Sequence, residues 1–339
     1  MNRKILITGG FGFIGSHFSN LCVGNKDQVR IVDNLSTGSS IKNLNVDKKI
    51  FQKPLNACDL LSMKKVFDEF KPDWVVNFAA QTHVDRSINT PVKFMKNNIN
   101  ETISLIEASR HFYHKSKNKK FRFLQVSTDE VYGSLGKKGS FTEQSKYSPN
   151  SPYSASKAAC DHIIHSYNIT YGIPTIITHC SNNYGPRQNI EKFIPKIITN
   201  ALGGQIIPVY GNGKQMRDWI FVNDHCEAIY KLLEKAEAGT DWVIGGGEEI
   251  DNITLSKKVC QILDDLFPPS KNKRIPKKVK SYSEHIVFVK DRPGHDYRYS
   301  INPKKIKEHI GWRPRTDFNK GLLLTAKYYA DPYMEFCRL

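Results

Sequence analysis

The sequence predicts an α/β fold, a doubly wound parallel sheet joined to a second, smaller α/β domain. Two observations carry this expectation. Short, β-branched apolar runs alternate with longer helix-like stretches from the first residues onward, and the first run opens straight into a glycine-rich turn. Strands separated by whole helical stretches cannot pair as tight hairpins. The long crossovers make neighbouring strands parallel and lay helices on both sheet faces.

In chain order, Lys4–Thr8 reads as the first strand and Gly12–Val23 as the helix after it. Val29–Asp33 is the second strand, followed by a helix over Leu61–Phe70 and a strand over Trp74–Phe78. A long helix over Val92–His114 leads to the strand Phe121–Val126, and a helix over Pro152–Tyr171 leads to the strand Thr175–Ser181. After residue 180 the pattern changes, with turns such as Tyr184-Gly185-Pro186 and Tyr210-Gly211-Asn212-Gly213. Residues 1–180 with about 215–246 are therefore assigned to the first domain, and 181–214 with 247–330 to the second.

The chain has 339 residues, 39% hydrophobic and 24% charged, which fits a folded globular protein and argues against wholesale disorder. No apolar run approaches the roughly 18 residues a membrane helix needs, and the apolar start is too short for a signal-peptide core. Seven cysteines without a Cys-x-x-Cys pair suggest reduced thiols, a cytoplasmic setting and no metal site. The net charge of +17 is concentrated at Lys115–Lys120 and Lys271–Lys280. Neither cluster interleaves aromatics that could stack on bases, so a solvated basic surface is expected and a nucleic-acid partner is not. Such a surface also attracts small anionic ligands.

The first strand runs into Gly9-Gly10-Phe11-Gly12-Phe13-Ile14-Gly15. Glycines in a strand-to-helix turn let the backbone approach a pyrophosphate, whose charge the helix N-terminus attracts. About 20 residues further on, Asp33 closes the second strand, where a carboxylate accepts both ribose hydroxyls and repels a 2′-phosphate. Together these features point to a Rossmann-type site for NAD in preference to NADP. Asp59 is either a contact to the adenine amino group or the N-cap of the next helix.

The strand Phe121–Val126 ends in Ser127-Thr128-Asp129-Glu130-Val131-Tyr132-Gly133, at the sheet end where ligands of open α/β folds bind. Two adjacent acids there can serve as proton donor and acceptor. Tyr153 and Lys157, four apart, share one face of a helix. The cation is expected to lower the Tyr pKa from about 10. Tyr113/Lys117 and Tyr210/Lys214 have the same spacing, but only Tyr153/Lys157 starts a helix shortly after the acidic strand end.

With these residues in view, the chain resembles the extended short-chain dehydrogenase/reductase family, and within it the nucleotide-sugar 4,6-dehydratases, over nearly its whole length. The stretches that carry the likeness are Ala79–Ser87, Ser127–Gly133 with Tyr153 and Lys157, Asn182–Pro186, Arg217-Asp218-Trp219 and Asp291–Asp296. The resemblance implies that Tyr153 is the base at the sugar 4-hydroxyl and Thr128 its hydrogen-bonding partner. It makes Asp129 the acid for the departing 6-hydroxyl, Glu130 the base at C5, and Lys157 a holder of the nicotinamide ribose. It adds Phe13, Ile14, Leu60, Ala79 and Ala80 to the cofactor residues. Asn182, Lys192, Arg217, Asn252 and Arg292 are implied as nucleotide and diphosphate contacts, Pro208 and Tyr210 as enclosing the base, and His83 and His295 as lining the pocket. The implied substrate is a nucleoside diphosphate glucose, and the implied assembly a homodimer formed through Val92–His114 and Pro152–Tyr171.

Gly247-Glu248-Glu249 and Ile190 depart from the family's usual residues, which bears on nucleotide contacts and not on the chemistry. Gln81-Thr82 favours UDP-glucose over dTDP-glucose, although Arg292–Asp296 leans the other way. Rival readings are a nucleotide-sugar 4-epimerase, which usually lacks the acid pair, and a non-catalytic NAD- or RNA-binding protein.

Overall fold

The computed structural model describes residues 2–44 and 54–338, with side chains through residue 333. Its main sheet has six parallel strands. In chain order they are β1 (Lys4–Thr8), β2 (Gln28–Val32), β3 (Trp74–Asn77), β4 (Arg122–Thr128), β5 (Thr175–Cys180) and a late strand at Thr240–Ile244. In space the order is β2-β1-β3-β4-β5 with Thr240–Ile244 at the far edge. The chain steps from β1 outward to β2 and then back across to β3. The reversal leaves a crevice beyond the carboxyl ends of β1 and β3, where open α/β sheets bind ligands.

The alternation in β1 sends Ile5 and Ile7 to one face and Leu6 to the other. On the first face they join Phe18 of α1 (Phe13–Gly24) and Ile229 and Leu232 of a helix at Val222–Lys235. On the second, Leu6 packs with Met63 and Phe67 of α2 (Leu60–Phe70) and Leu105 and Phe112 of a long helix at Pro91–Ser116. Between these two helices lies the short α3 (Val84–Asn89), which makes the long helix α4. The helix α5 (Pro152–Tyr171) packs alongside α4 on this second face. Ser151 starts α5 with a reciprocal capping box to Ser154, Pro152 fits its first turn, and Gly172 ends it in the left-handed region.

The elements after residue 180 were not resolved from sequence, because their strands are only three to six residues long. They are β6 (Asn182–Tyr184), α6 (Phe193–Leu202), β7 (Ile207–Tyr210), β8 (Met216–Phe221), α7 (Val222–Lys235), β9 (Thr240–Ile244), β10 (Glu249–Asp251), α8 (Asn252–Leu266), β11 (Ile286–Val289) and α9 (Phe318–Arg338). A small sheet runs β10-β8-β6, and β11 pairs with β7. The segment 215–246 is thus divided: β9 extends the main sheet and α7 packs on its face, whereas β8 belongs to the small sheet. A separate core of Tyr184, Ile194, Ile198, Trp219, Leu255, Leu263 and Leu322 unites α6, α8 and α9 over the small sheet. Among the described residues no helix is long and apolar enough to cross a membrane.

Candidate active site

The turn after β1 is shaped by three glycines. Gly9 has φ +64°, a left-handed conformation, and a Cβ there would meet the Ala79 backbone at 2.8 Å. A Cβ on Gly15 would stand 2.2 Å from the Gly9 carbonyl oxygen. A Cβ on Gly12 meets only that oxygen, at 3.2 Å, and Ser39 Oγ at 3.9 Å. The interior of the turn is therefore closed and the front, at the N-terminus of α1 where Phe13 and Ile14 begin the helix, is open. This is the shape a pyrophosphate needs. Asp33, just past β2, is buried and accepts from Phe11 N at 3.0 Å, Leu35 N at 2.8 Å and Ser39 Oγ at 3.3 Å. Burial pushes its carboxyl up, and the two backbone amides and the Ser39 hydroxyl pull it back.

Of the two readings of Asp59, the cap is the one observed. Its carboxylate accepts from Leu61 N, Ser62 N and Ser62 Oγ at the start of α2, beside Leu60. Ala79 and Ala80 follow β3 against the glycine turn, half-buried.

Beyond β4, Thr128 caps a short 3-10 turn over Asp129–Tyr132, its Oγ1 accepting from Glu130 N at 3.3 Å and donating to Asp129 Oδ1 at 3.4 Å. Asp129 is 1% exposed, and its Oδ2 has no hydrogen-bonding partner among the described residues. Burial, then Glu130 and Asp218, push its carboxyl well above the usual range, against the pull of Arg217. Glu130 is also raised by burial, but Arg292, Arg217 and Lys192 all favour its charged form.

Tyr153 and Lys157 face this turn from α5. The expectation that Lys157 depresses the Tyr153 pKa does not hold in the protein alone. Burial, followed by Glu130, Cys180 and Asp129, raises the phenol well above its ordinary value, and only the Thr128 hydroxyl opposes them. The Lys157 ammonium is spent on the Val126 carbonyl, to which it donates at 2.7 Å.

Cationic and aromatic groups close the other side. The buried Arg217 guanidinium donates to the Asp296 and Met216 carbonyls at 3.0 and 2.7 Å and stacks 4.3 Å over the Tyr299 ring. Arg292 pairs with Asp85 at 3.2 Å, and the Tyr210 hydroxyl donates to the same carboxylate at 3.4 Å. Lys192 Nζ donates to the Thr82 carbonyl at 2.6 Å, and burial lowers its pKa. His295 bonds Asp291 at 2.6 Å, edge-on to Tyr210.

Other expected positions are less engaged. His83 caps α3, its Nδ1 accepting from Arg86 N at 3.4 Å. Pro208 lies on β7 opposite Val287. Asn182 pairs with Trp219 through the strand backbone, and Asn252 is held by its backbone amide to Gln215. No hydrogen bond or ion pair among the described residues joins the Asn182 or Asn252 side chain to the cluster. Asp85, Asp218 and Tyr299 were not assigned roles from sequence. Asp218, 1% exposed, has its carboxyl pushed up to about 7 by burial. Only the adjacency of Asp218 to Arg217 could have flagged it, since Asp85 and Tyr299 reach the site from distant parts of the chain.

Comparison with known proteins bears on this geometry. A family model described as GDP-mannose 4,6 dehydratase matches residues 6–325. The chain is 44% identical to dTDP-glucose 4,6-dehydratase of Haemophilus influenzae, over 96% of this chain and 97% of that protein. It is 45% identical to the enzyme of the same name from Xanthomonas campestris, over 96% and 92%. Among solved structures, dTDP-glucose 4,6-dehydratase DesIV of Streptomyces venezuelae, with NAD bound, superposes with TM-score 0.85 at 36% identity, covering 97% of each chain. UDP-glucose 4-epimerase of Thermotoga maritima superposes nearly as well, TM-score 0.83 over 97% and 99%, but at 26% identity. The names of these relatives point to dTDP-glucose and away from the leaning towards UDP-glucose that Gln81-Thr82 suggested.

Proposed function

The chain belongs to the GDP-mannose 4,6 dehydratase family, and from that premise we propose that it converts dTDP-glucose to the 4-keto-6-deoxy sugar nucleotide. It is an NAD-dependent nucleoside diphosphate glucose 4,6-dehydratase, a hydro-lyase. The dTDP-glucose named for its relatives supports thymidine as the nucleoside.

One observation carries the reaction: two adjacent carboxyls at the end of β4 lie in surroundings that separate their roles. Asp129, sealed from water with an unpartnered oxygen, has its carboxyl pushed well above the usual range by burial, which favours the acid form. Glu130 faces three cations that favour its charge. Titratable pairs pushed apart in this way divide into acid and base. NAD, when bound at the glycine turn, would supply the redox chemistry, as hydride acceptor at C4 and hydride donor at C6. Tyr153 accepts the 4-hydroxyl proton as its phenolate, a form that the protein alone disfavours and that the positive charge of a bound nicotinamide ring would favour, with Thr128 bonding the same oxygen. The ketone at C4 acidifies the C5 hydrogen, which Glu130 removes as a proton and gives back to C5 when hydride adds at C6. The C6–O bond then breaks, and Asp129 gives its proton to the departing oxygen, which leaves as water. A 4-epimerase has no use for that acid.

Arg217, Arg292 and Lys192 supply the positive charge for the diphosphate, and Tyr210 a wall for the base. The glycine turn and Asp33 hold the pyrophosphate and the adenine ribose. Exposed Val92, Ile103, Ile169 and Tyr171 on α4 and α5 support pairing of two copies through these helices.

The test is to incubate the protein with dTDP-glucose and, separately, UDP-glucose, and to follow loss of water by mass spectrometry. Faster dehydration of dTDP-glucose is expected. A preference for UDP-glucose overturns the choice of nucleoside, and an unchanged mass with inverted C4 overturns the reaction.

A further inference from the structure

Glu101 lies on the inner face of α4 and is 8% exposed. Its carboxylate has no hydrogen-bonding partner among the described residues, and its oxygens are not among the side-chain atoms fully sealed from solvent. One turn before it, Asn98 ties α4 to the strand end, accepting from Gln81 N at 2.8 Å and donating to Ser156 Oγ at 3.0 Å. One turn after it, Ser104 donates to the Cys58 carbonyl at 2.8 Å. Glu101 therefore sits between the loop after β3 and the residues before α2, on the adenosine side of the crevice. Among the described residues, the charged and titratable groups that interact with it are Lys157 and Cys160 on α5, Asp33 beyond β2 and Cys58 ahead of α2. The proposed function sets Asp33 beside the adenine ribose, and the family resemblance sets Lys157 beside the nicotinamide ribose.

We propose that Glu101 is a cofactor-specificity residue, a second acid that acts with Asp33 to exclude a 2′-phosphate and so to select NAD over NADP. This rests on the NAD site of the proposed function. A phosphate added to the ribose held by Asp33 lies within the field of both carboxylates, in a crevice where little water screens them. Asp33 acts by contact, since its oxygens are where the ribose hydroxyls bond. Glu101 acts through space. Burial raises its pKa to about 7. Its contribution is accordingly small at pH 6 and full at pH 8.

The test uses cofactor-free protein and the dissociation constants of NAD and NADP, measured by calorimetry. Wild type should bind NAD well and NADP poorly. Glu101→Gln keeps the shape and removes the charge; at pH 8 it should lower the NADP-to-NAD ratio of dissociation constants roughly tenfold, with NAD binding changed by less than about threefold. The variant should also flatten the rise of that ratio between pH 6 and pH 8. Glu101→Asp retains the charge and should preserve most of the selectivity, which separates charge from packing if the Gln variant is unstable. Asp33→Asn is the control and should relax selectivity further. A ratio unchanged in Glu101→Gln while Asp33→Asn relaxes it overturns the role of Glu101 and leaves the NAD site standing. An equal loss of NAD and NADP binding in both Glu101 variants assigns the residue to packing and overturns the proposal. Failure of wild type to bind either dinucleotide overturns the NAD site itself.

Discussion

Gly12 and Gly15 lie three residues apart in one turn, yet replacing them with alanine should have opposite consequences. A methyl on Gly15 lands 2.2 Å from the Gly9 oxygen and 3.0 Å from Gly10 Cα, both backbone atoms that no side-chain rotation can move. The turn must open by nearly an ångström at the base of β1. Overpacking of this kind costs about 1–3 kcal/mol, so Gly15→Ala should melt a few degrees lower and bind NAD poorly because the turn is displaced. A methyl on Gly12 meets only a 3.2 Å contact and otherwise open space. Gly12→Ala should therefore keep its melting temperature within about a degree. It should still lose NAD, because the methyl occupies the front of the turn and holds the pyrophosphate off the amides at the start of α1. Loss of one or two charge-assisted bonds is worth about 1.5–3 kcal/mol, roughly ten- to a hundredfold in Kd. Differential scanning calorimetry and NAD titration of the cofactor-free variants measure the two effects. Undiminished NAD binding by Gly12→Ala would refute the placement of the pyrophosphate.

Two further outcomes follow from the opposite wall. Arg217→Ala should raise KM for the sugar nucleotide by roughly tenfold or more without changing NAD affinity. Because the guanidinium also holds the Asp296 and Met216 carbonyls, it should lower the melting temperature as well, and Arg217→Lys should recover KM only in part; an unchanged KM removes the residue from the site. Asp218 has its carboxyl raised to about 7 by burial, from an ordinary value of 3.8. In that interval the folded state binds a proton that the unfolded state has released, so stability falls as pH rises from about 4 to 7 and is level above. Asp218→Asn should remove this decline, up to roughly 4 kcal/mol, and melting curves from pH 5 to 7.5 that parallel wild type would contradict it.

Much of the main sheet was legible in sequence because its signals are local. Lys4–Thr8 and Pro152–Tyr171 appear with the boundaries the residues suggest, and the other first-domain strands and helices shift by one or two residues at their ends. The glycine spacing and Asp33 are read from consecutive positions for the same reason. The second half was less legible, since strands such as Asn182–Tyr184 and Glu249–Asp251 are too short for a periodicity to register. Charge balance was misjudged where burial decides it. The i, i+4 spacing of Tyr153 and Lys157 suggested a depressed phenol, but the sequence does not display the carboxylates of Asp129 and Glu130 around it. Asp59 was open between two roles because a capping acid and a ligand acid look alike until the helix start is seen.

The division of labour between Tyr153 and Glu130 is tested most directly by single-turnover absorbance of enzyme-bound NADH. Glu130→Gln preserves the side-chain shape and removes the base. With dTDP-glucose added, NADH should form and persist, because C4 oxidation precedes C5 deprotonation, and product should appear slower by about 10²–10⁴-fold. Tyr153→Phe should give neither NADH nor product. Dehydration at the normal rate by Glu130→Gln, or persistent NADH in Tyr153→Phe, would contradict the assignment.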